Sequence, residues 1–422
     1  MATASPDLTK LFKSFGRIGL LSFGGPAAQI ALMHRVLVDE EKWLSEKQYL
    51  NALSFCMLLP GPEAMQLATY VGWRLKGIIG GLLTGLLFVL PGAFVIFALA
   101  CIYAYFGNVP LVNSIFLGVK AAVVVIVIEA LIKVAKRALK QFDHWVIAAL
   151  AYVAIFFLAL PFPIIIALAA IYGAITAKEE EKKAAIAIAQ PFSKTLTIVV
   201  TWAAIWIVPL LLVAALDPGE IMGDIGFFFS KLAVVTFGGA YAVLAYMAQD
   251  VVNHFGWLTA GQMMDGLGLA ETTPGPLILV TEFVGFLAGF QAYGIWGAIL
   301  ATIVTLWATF VPCFLWVFAG APYIEWIGEQ PRLKGALSAI TAAVVGVILN
   351  LSIWFALHVF FKEVTLVHSG IFHIWQPTFS SIDWRPFLLA GVSAVLLFGV
   401  KWGVAKMLTI AATLGLLLQF IT

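Results

Sequence analysis

Charge is what this chain of 422 residues has least of: Asp, Glu, Lys and Arg together make up 11%. A soluble chain of that length needs far more polar surface, so a water-soluble globule is excluded. Lys plus Arg number 24 against 22 Asp plus Glu, a net charge of +2, and so balanced a chain is no nucleic-acid binder. Cysteine is nearly absent. Cys56, Cys101 and Cys313 lie in apolar sequence without paired spacing, which argues for buried free thiols and against a disulfide framework or metal site. No nucleophile–base motif, Walker loop or dinucleotide fingerprint occurs; the "GIIGG" at Gly77 lacks the Lys-Ser/Thr that a phosphate loop needs. An enzyme, a cofactor and ATP-driven work by this chain alone are therefore not expected. His368 and His373, in "VHSGIFHIWQP", have no acidic or cysteine neighbours and are expected in a structural loop. The first residues, "MATASPDLTKLFKSFGR", lack the apolar core of a removable signal peptide.

What the chain has is hydrophobic sequence, 62% of it, with a mean hydropathy of +1.03. The apolar blocks show no period-2 alternation, so they read as helices of an all-α polytopic membrane protein and not as strands of a barrel. Ile78 to Tyr105 is uncharged and is expected as one tilted helix bent at Pro91. Phe116 to Ile132 continues the pattern around Lys120 and Glu129. Trp145 to Ala177 is split by Pro161-Phe162-Pro163 into a hairpin of two short helices, and Thr195 to Leu216 is a clean span. Phe283 to Ile324 is too long for one crossing and must fold back near Ala292-Tyr293-Gly294. Gly335 to Phe361 is one span; Pro386 to Val400 with Met407 to Thr422 forms another short hairpin. With the glycine-interrupted regions the count is about 13 membrane segments.

The two halves repeat. Phe23-Gly24-Gly25 maps onto Phe237-Gly238-Gly239, Trp43 onto Trp257 and Pro60-Gly61-Pro62 onto Pro274-Gly275-Pro276, all at an offset of 214. After seven extra residues near Gly289 to Ile295, Pro91 maps onto Pro312 and Pro110 onto Pro331 at 221. The expected organisation is a first repeat at 1–177 (core about 12–141), a polar cytoplasmic linker at 178–194, and a second repeat at 195–422 (core about 226–362). With a cytoplasmic N-terminus, sixteen of the 24 Lys and Arg fall on the cytoplasmic side. An odd number of crossings then separates equivalent points, so the repeats have inverted topology. The loop from His34 to Gln48 fits that map badly unless the FGGP and PGP segments are re-entrant, and the inversion survives either choice. Inverted repeats with Gly/Pro-broken helices mark a secondary transporter.

Backbone groups freed at Gly24-Gly25-Pro26 and Pro60-Gly61-Pro62 must face protein or a polar cavity. Pro62 and Pro276 are expected to begin helices whose free N–H groups favour an anion. Arg17 and Lys231 are mates at the same offset of 214; they read either as a cation pair for a dianion or as interfacial anchors. Lys120 has no cationic mate, and pairs with Glu129 unless it meets the substrate. Glu63 and Glu271, beside the two PGP motifs, are candidate proton-coupling acids or plain helix caps. Gln66, Thr69 and Tyr70 offer donors after Pro62.

"FGGPAAQIALMH", "LLPGPEAMQLATYVGWRLKGIIGGLLTGLLFVLPG", "TFGGAYAVLAYMAQD" and "GLAETTPGPLILVTEFVGFLAG" together resemble the two-domain chromate transporter family, over nearly the whole chain. The resemblance implies a multi-pass protein of the bacterial inner membrane that exports chromate and so gives chromate resistance. It also implies that the FGG and PGP motifs work in both halves; the second departs in carrying Ala240 where the first has Pro26. Chromate is a tetrahedral dianion the size of sulfate and suits backbone N–H donors with one or two cations. A sulfate or related oxyanion importer or exchanger on the same scaffold is the alternative. Besides membrane lipid, a second copy of the chain is the one protein partner left open.

Overall fold

The computed structural model describes residues 6–107, 109–177, 191–217, 219–237, 240–328, 330–370 and 372–420. Most of the linker expected at 178–194 lies outside them. The chain runs α1 (Leu8–Leu21), α2 (Gly25–His34), α3 (Glu46–Cys56), α4 (Glu63–Phe106), α5 (Pro110–Ala138), α6 (Phe142–Phe156), α7 (Phe162–Thr176), α8 (Phe192–Leu216), α9 (Ile221–Val235), α10 (Ala240–Gln249), α11 (Ala260–Thr272), α12 (Val280–Gly320), α13 (Ile324–Gly328), α14 (Pro331–Phe360), β1 (Val364–Ser369), β2 (Phe372–Pro377), α15 (Trp384–Ala394) and α16 (Val404–Leu418). Five helical stretches among the described residues are long and apolar enough to cross a membrane. The protein is an all-α polytopic membrane protein, with one small hairpin of β1 and β2 in which His368 faces His373. That hairpin replaces the loop expected there; β-branched and aromatic residues in "VTLVH" and "FHIW" stand on either side of a left-handed Gly370 and favour a strand pair.

Helix α4 is the clearest departure from a simple span. Lys76 and Gly77 leave helical geometry, Gly77 at φ 64° and ψ −157°, a region open essentially only to glycine. The chain reverses there: Thr84 donates to the carbonyl of Ala68 across the bend. A Cβ on Gly72 would stand 2.3 Å from the carbonyl oxygen of Gly80, so the two legs touch through bare backbone. Helix α12 does the same at Tyr293–Gly294 (φ 63°, ψ −152° at the glycine), with Gly289 against Gly297. The fold-back expected near Tyr293 is present, and so is its unexpected counterpart at Gly77. The offset at these bends is 217. The seven extra residues therefore divide: three form a 3₁₀ turn, Leu277–Leu279, between the second PGP and α12, and four lie beyond the bend.

The repeat extends further than the motifs do. Helix α2 runs through a π turn into Lys42 at φ 53°, and the Trp43 N–H reaches back to the Leu37 carbonyl. Gly256 and Trp257 repeat that turn, as do Lys401 with Trp402 and Ala159 with Leu160. Ser45 and Gln48 cap α3 reciprocally, and Thr259 with Gln262 does so for α11. Hairpin α6–α7 maps onto α15–α16 at an offset of 242; the added length is the β1–β2 segment.

The chain divides into two compact units, each assembled from both halves: residues 1–100, 178–240 and 273–333 in one, residues 101–177, 241–272 and 334–422 in the other. In the first, α1 buries Leu11, Phe15, Ile18 and Gly19, one helical face, and Gly19 rests against the backbone of α4 at Leu87. In the second, Gly118 of α5 meets the backbone of α16 at Ala411, and Gly173 of α7 meets α14 at Gly335. Without water to drive apolar association, such close approach is how membrane helices gain packing energy.

Candidate functional site

Within the first unit, the broken segments of both halves meet. A cavity is lined by Pro26 and Gln29 of α2, Gly61 and Pro62 of the first PGP, Glu63 and Ala64 of α4, Thr236 and Ala240 at the second FGG, and Pro276, Leu277 and Ile278 of the second PGP. Its volume, about 20 Å³, is room for about one water. Four helix starts open onto it: α2, α4, α10 and the 3₁₀ turn before α12. Each leaves its first N–H groups without intrahelical acceptors, and each carries the positive end of its dipole. The lining is anion-favouring for that reason.

The segments are held by a reciprocal pair of hydrogen bonds. The Gly61 N–H donates to the Thr236 carbonyl at 2.9 Å, and the Gly275 N–H donates to the Ser22 carbonyl at 2.9 Å. Gly61 and Gly275 are mates at 214, and so are Ser22 and Thr236; each half's PGP thus bonds the other half's FGG segment. The hydroxyls of Ser22 and Thr236 turn back onto the Ile18 and Leu232 carbonyls, again mates. The Phe23 and Phe237 amides close the same turn onto Leu21 and Val235. Positive φ at Gly24 (86°), Gly25 (78°), Gly61 (120°) and Gly275 (93°) shows why glycine stands there. Gly238 and Gly239 lie outside the described residues.

Other expected residues fall differently. Pro60 and Pro274 flank the lining; the Gln66 amide donates to the Pro60 carbonyl at 2.6 Å, fixing the break from below. Pro62 precedes α4 directly, whereas Pro276 begins the 3₁₀ turn, so Glu63 corresponds to Val280 and not to Leu277. Phe23 is exposed and, with Phe237, lies off the lining. Arg17 is exposed and paired with Glu40 at 3.1 Å, and neither Arg17 nor Lys231 lines the cavity. The pairing expected for Lys120 is wrong. Its ammonium meets Asp265 of α11 at 3.3 Å in the second unit, while Glu129 pairs with Lys133 one turn on. Helical direction explains it: nine residues put Lys120 and Glu129 on different turns of α5, and Lys133 stands at the favoured i,i+4 spacing. Glu271 is buried in the second unit and accepts from the Tyr241 hydroxyl at 2.7 Å. Cys56 and Cys313 are buried and all three cysteines are free.

Gln29 is the residue that sequence reasoning passed over. It is buried, lines the cavity, and its amide donates to the Gly275 carbonyl at 2.6 Å. Its one signal was a glutamine one turn into the helix that follows Gly24-Gly25-Pro26.

Comparison with known proteins places the chain in a family. A family model described as "Chromate transporter" matches residues 9–174 and 223–416, one match in each half. A "Chromate transport protein" of Pseudomonas aeruginosa is 34% identical over 80% of this chain and 79% of its own length. Another of that name from Cupriavidus metallidurans is 31% identical over 81% and 80%. An "Uncharacterized transporter" of Methanocaldococcus jannaschii is 28% identical over 84% and 85%. No solved structure matches the chain. By the match in both halves and the extent of these relatives, the chain belongs to the chromate transporter family.

Proposed function

We propose that this protein is a secondary transporter that moves chromate out of the cell across the inner membrane by alternating access, and so confers chromate resistance. The observation that carries the reading is the meeting of four helix starts, two from each half, at one cavity held by mated hydrogen bonds. The N–H groups of Gly61 and Gly275 are taken up by the opposite half. The donors for the anion are then the first N–H groups of α2 and α4 and those of Leu277 and Ile278. Arg17 and Lys231 act from outside the lining, raising the positive potential at the turns they precede. A cavity of about 20 Å³ is smaller than a four-oxygen dianion, so binding must part the Gly61–Thr236 and Gly275–Ser22 contacts. Binding thereby couples to movement between two halves of inverted topology, with repeats at 1–177 and 195–422. Glu63, at the start of α4 and on the lining, opposes the anion when ionised and is a candidate for proton coupling.

The test is chromate flux into everted membrane vesicles with sulfate as competitor. Saturable, sulfate-inhibited chromate uptake is expected. Uptake no greater than in vesicles lacking the protein would overturn the reading, and sulfate flux without chromate flux would favour the sulfate alternative.

A further inference from the structure

Each half has a fold-back hairpin with the same bend, and their polar content differs. In α4 the hydroxyls of Thr69 and Thr84 bond main-chain carbonyls of Met65 and Ala68. In α12, Thr302, Thr305 and Thr309 are buried, and their hydroxyl oxygens have no hydrogen-bond partner among the described residues. Glu282 on the other leg is 1% exposed, and its Oε2 also lacks a partner. A Cβ on Gly285 would fall 2.0 Å from the Thr305 Oγ1, so that hydroxyl lies against the leg that carries Glu282. Glu282 is one turn further from the bend on the Gly285 face, which the hairpin register sets beside Thr305 and Thr309. Up to the bend the offset is 217, and the first half has Met65 for Glu282; at the offset of 221 reached by Pro312, it has Thr84 for Thr305 but Gly81 for Thr302 and Phe88 for Thr309. Symmetric scaffolding thus does not call for Glu282 or for hydroxyls at Thr302 and Thr309.

We propose that Glu282, with the hydroxyls of Thr305 and Thr309, is a proton-binding site in the second-half hairpin that couples proton movement to transport. Buried polar atoms are nearly always bonded, so several unmet ones on facing legs of one hairpin call for a ligand. An isolated carboxylate in apolar surroundings is expensive, and a proton is the smallest cargo that neutralises it. The protonated acid also donates a hydrogen bond, which a threonine oxygen accepts. The charged environment offers no rival: among the described residues no ion pair involves Glu282. The stretch of α4 packed along this leg, Phe88 to Ala100 with Phe97 on Phe286, has no ionisable side chain. Helices α8 and α9 bring only Lys194, Asp224 and Lys231; Tyr293 at the bend, Cys313 and Tyr323 complete the titratable groups on α12 and the turn after it.

Coupling rests on the transport reading; proton binding does not, and the experiment separates them. The full chain in proteoliposomes is titrated by infrared difference spectroscopy, wild type against E282Q, and chromate flux is followed against pH in the same vesicles. The expected results are a carboxylic C=O band that titrates in wild type and is lost in E282Q, and loss of the pH dependence of flux in E282Q. No difference band, or a wild-type pH profile in E282Q, overturns the proposal. A titrating band in vesicles that pass no chromate overturns the transport reading and leaves the proton site. If E282Q does not fold, the T305V/T309V variant replaces it: a shifted band is expected, and an unshifted one overturns the site.

Discussion

At the residue scale the site is a matter of glycines and of who bonds whom. Gly61 holds φ 120° and Gly275 φ 93°, so an L side chain at either costs about 1–3 kcal/mol in backbone strain. A Cβ on Gly61 would also press Gln66 and Cys313 at 2.8 and 2.9 Å. G61A and G275A should each lower the thermal midpoint in detergent and cut chromate flux, since both loosen a bond between halves. Normal flux in both would remove these contacts from the transport cycle. Lys120 and Asp265 obey another rule. The Asp265 carboxylate also accepts from the Tyr103 hydroxyl at 2.7 Å, and removing Lys120 leaves a buried charge with one neutral donor. K120M should destabilise by about 3–5 kcal/mol, and adding D265N should restore much of that. Thermal unfolding of the two single variants and the double variant measures the coupling; additive losses would mean that the pair is not energetically linked.

At the element scale, the bends at Gly77 and Gly294 turn two long helices into antiparallel legs. Around Gly77 there is open space for a methyl group, so G77A carries the strain of its backbone alone. G72A meets the Thr84 hydroxyl at 2.1 Å and the Gly80 backbone at 2.3 Å, which no rotamer relieves. G72A should therefore lose more folded protein than G77A, read as the monodisperse yield from equal membrane; the reverse order would show that the bend, and not leg packing, limits folding. Here too lies the boundary of what the letters revealed. Hydropathy located the spans and required the reversal near Tyr293, because 42 uncharged residues exceed one crossing. It missed the reversal at Gly77 because Arg74 and Lys76 made that point look like an ordinary loop end. The α6–α7 and α15–α16 match escaped because turn geometry, not residue identity, is repeated: Ala159 and Lys401 share a left-handed φ without sharing chemistry. The cavity was half legible. FGGP and PGP named its backbone, but Gln29 and the mated bonds depend on contacts 175 or more residues apart, which a single chain read in order does not display.

At the scale of the whole molecule, the question is what drives a dianion out. Two negative charges leaving an inside-negative cell, with the potential, release roughly 4–5 kcal/mol per 100 mV. A proton taken inward through Glu282 for each chromate adds a third charge in the same direction, roughly 7 kcal/mol per 100 mV in all. The two cases differ in slope. Everted vesicles clamped at a series of potentials, with no pH gradient, give the chromate accumulation ratio at each. Three charges per chromate are expected in wild type. E282Q should show two if it still transports, because the anion keeps its own charge when the proton route is lost. Arg17 and Lys231 should not alter the slope, for they lie off the lining and move nothing; R17A and K231A should raise KM, more so at low salt, where their field is least screened. A slope of two in wild type would make Glu282 a passenger of the fold, and a slope of zero would mean that an exchanged anion, not the membrane potential, balances the chromate.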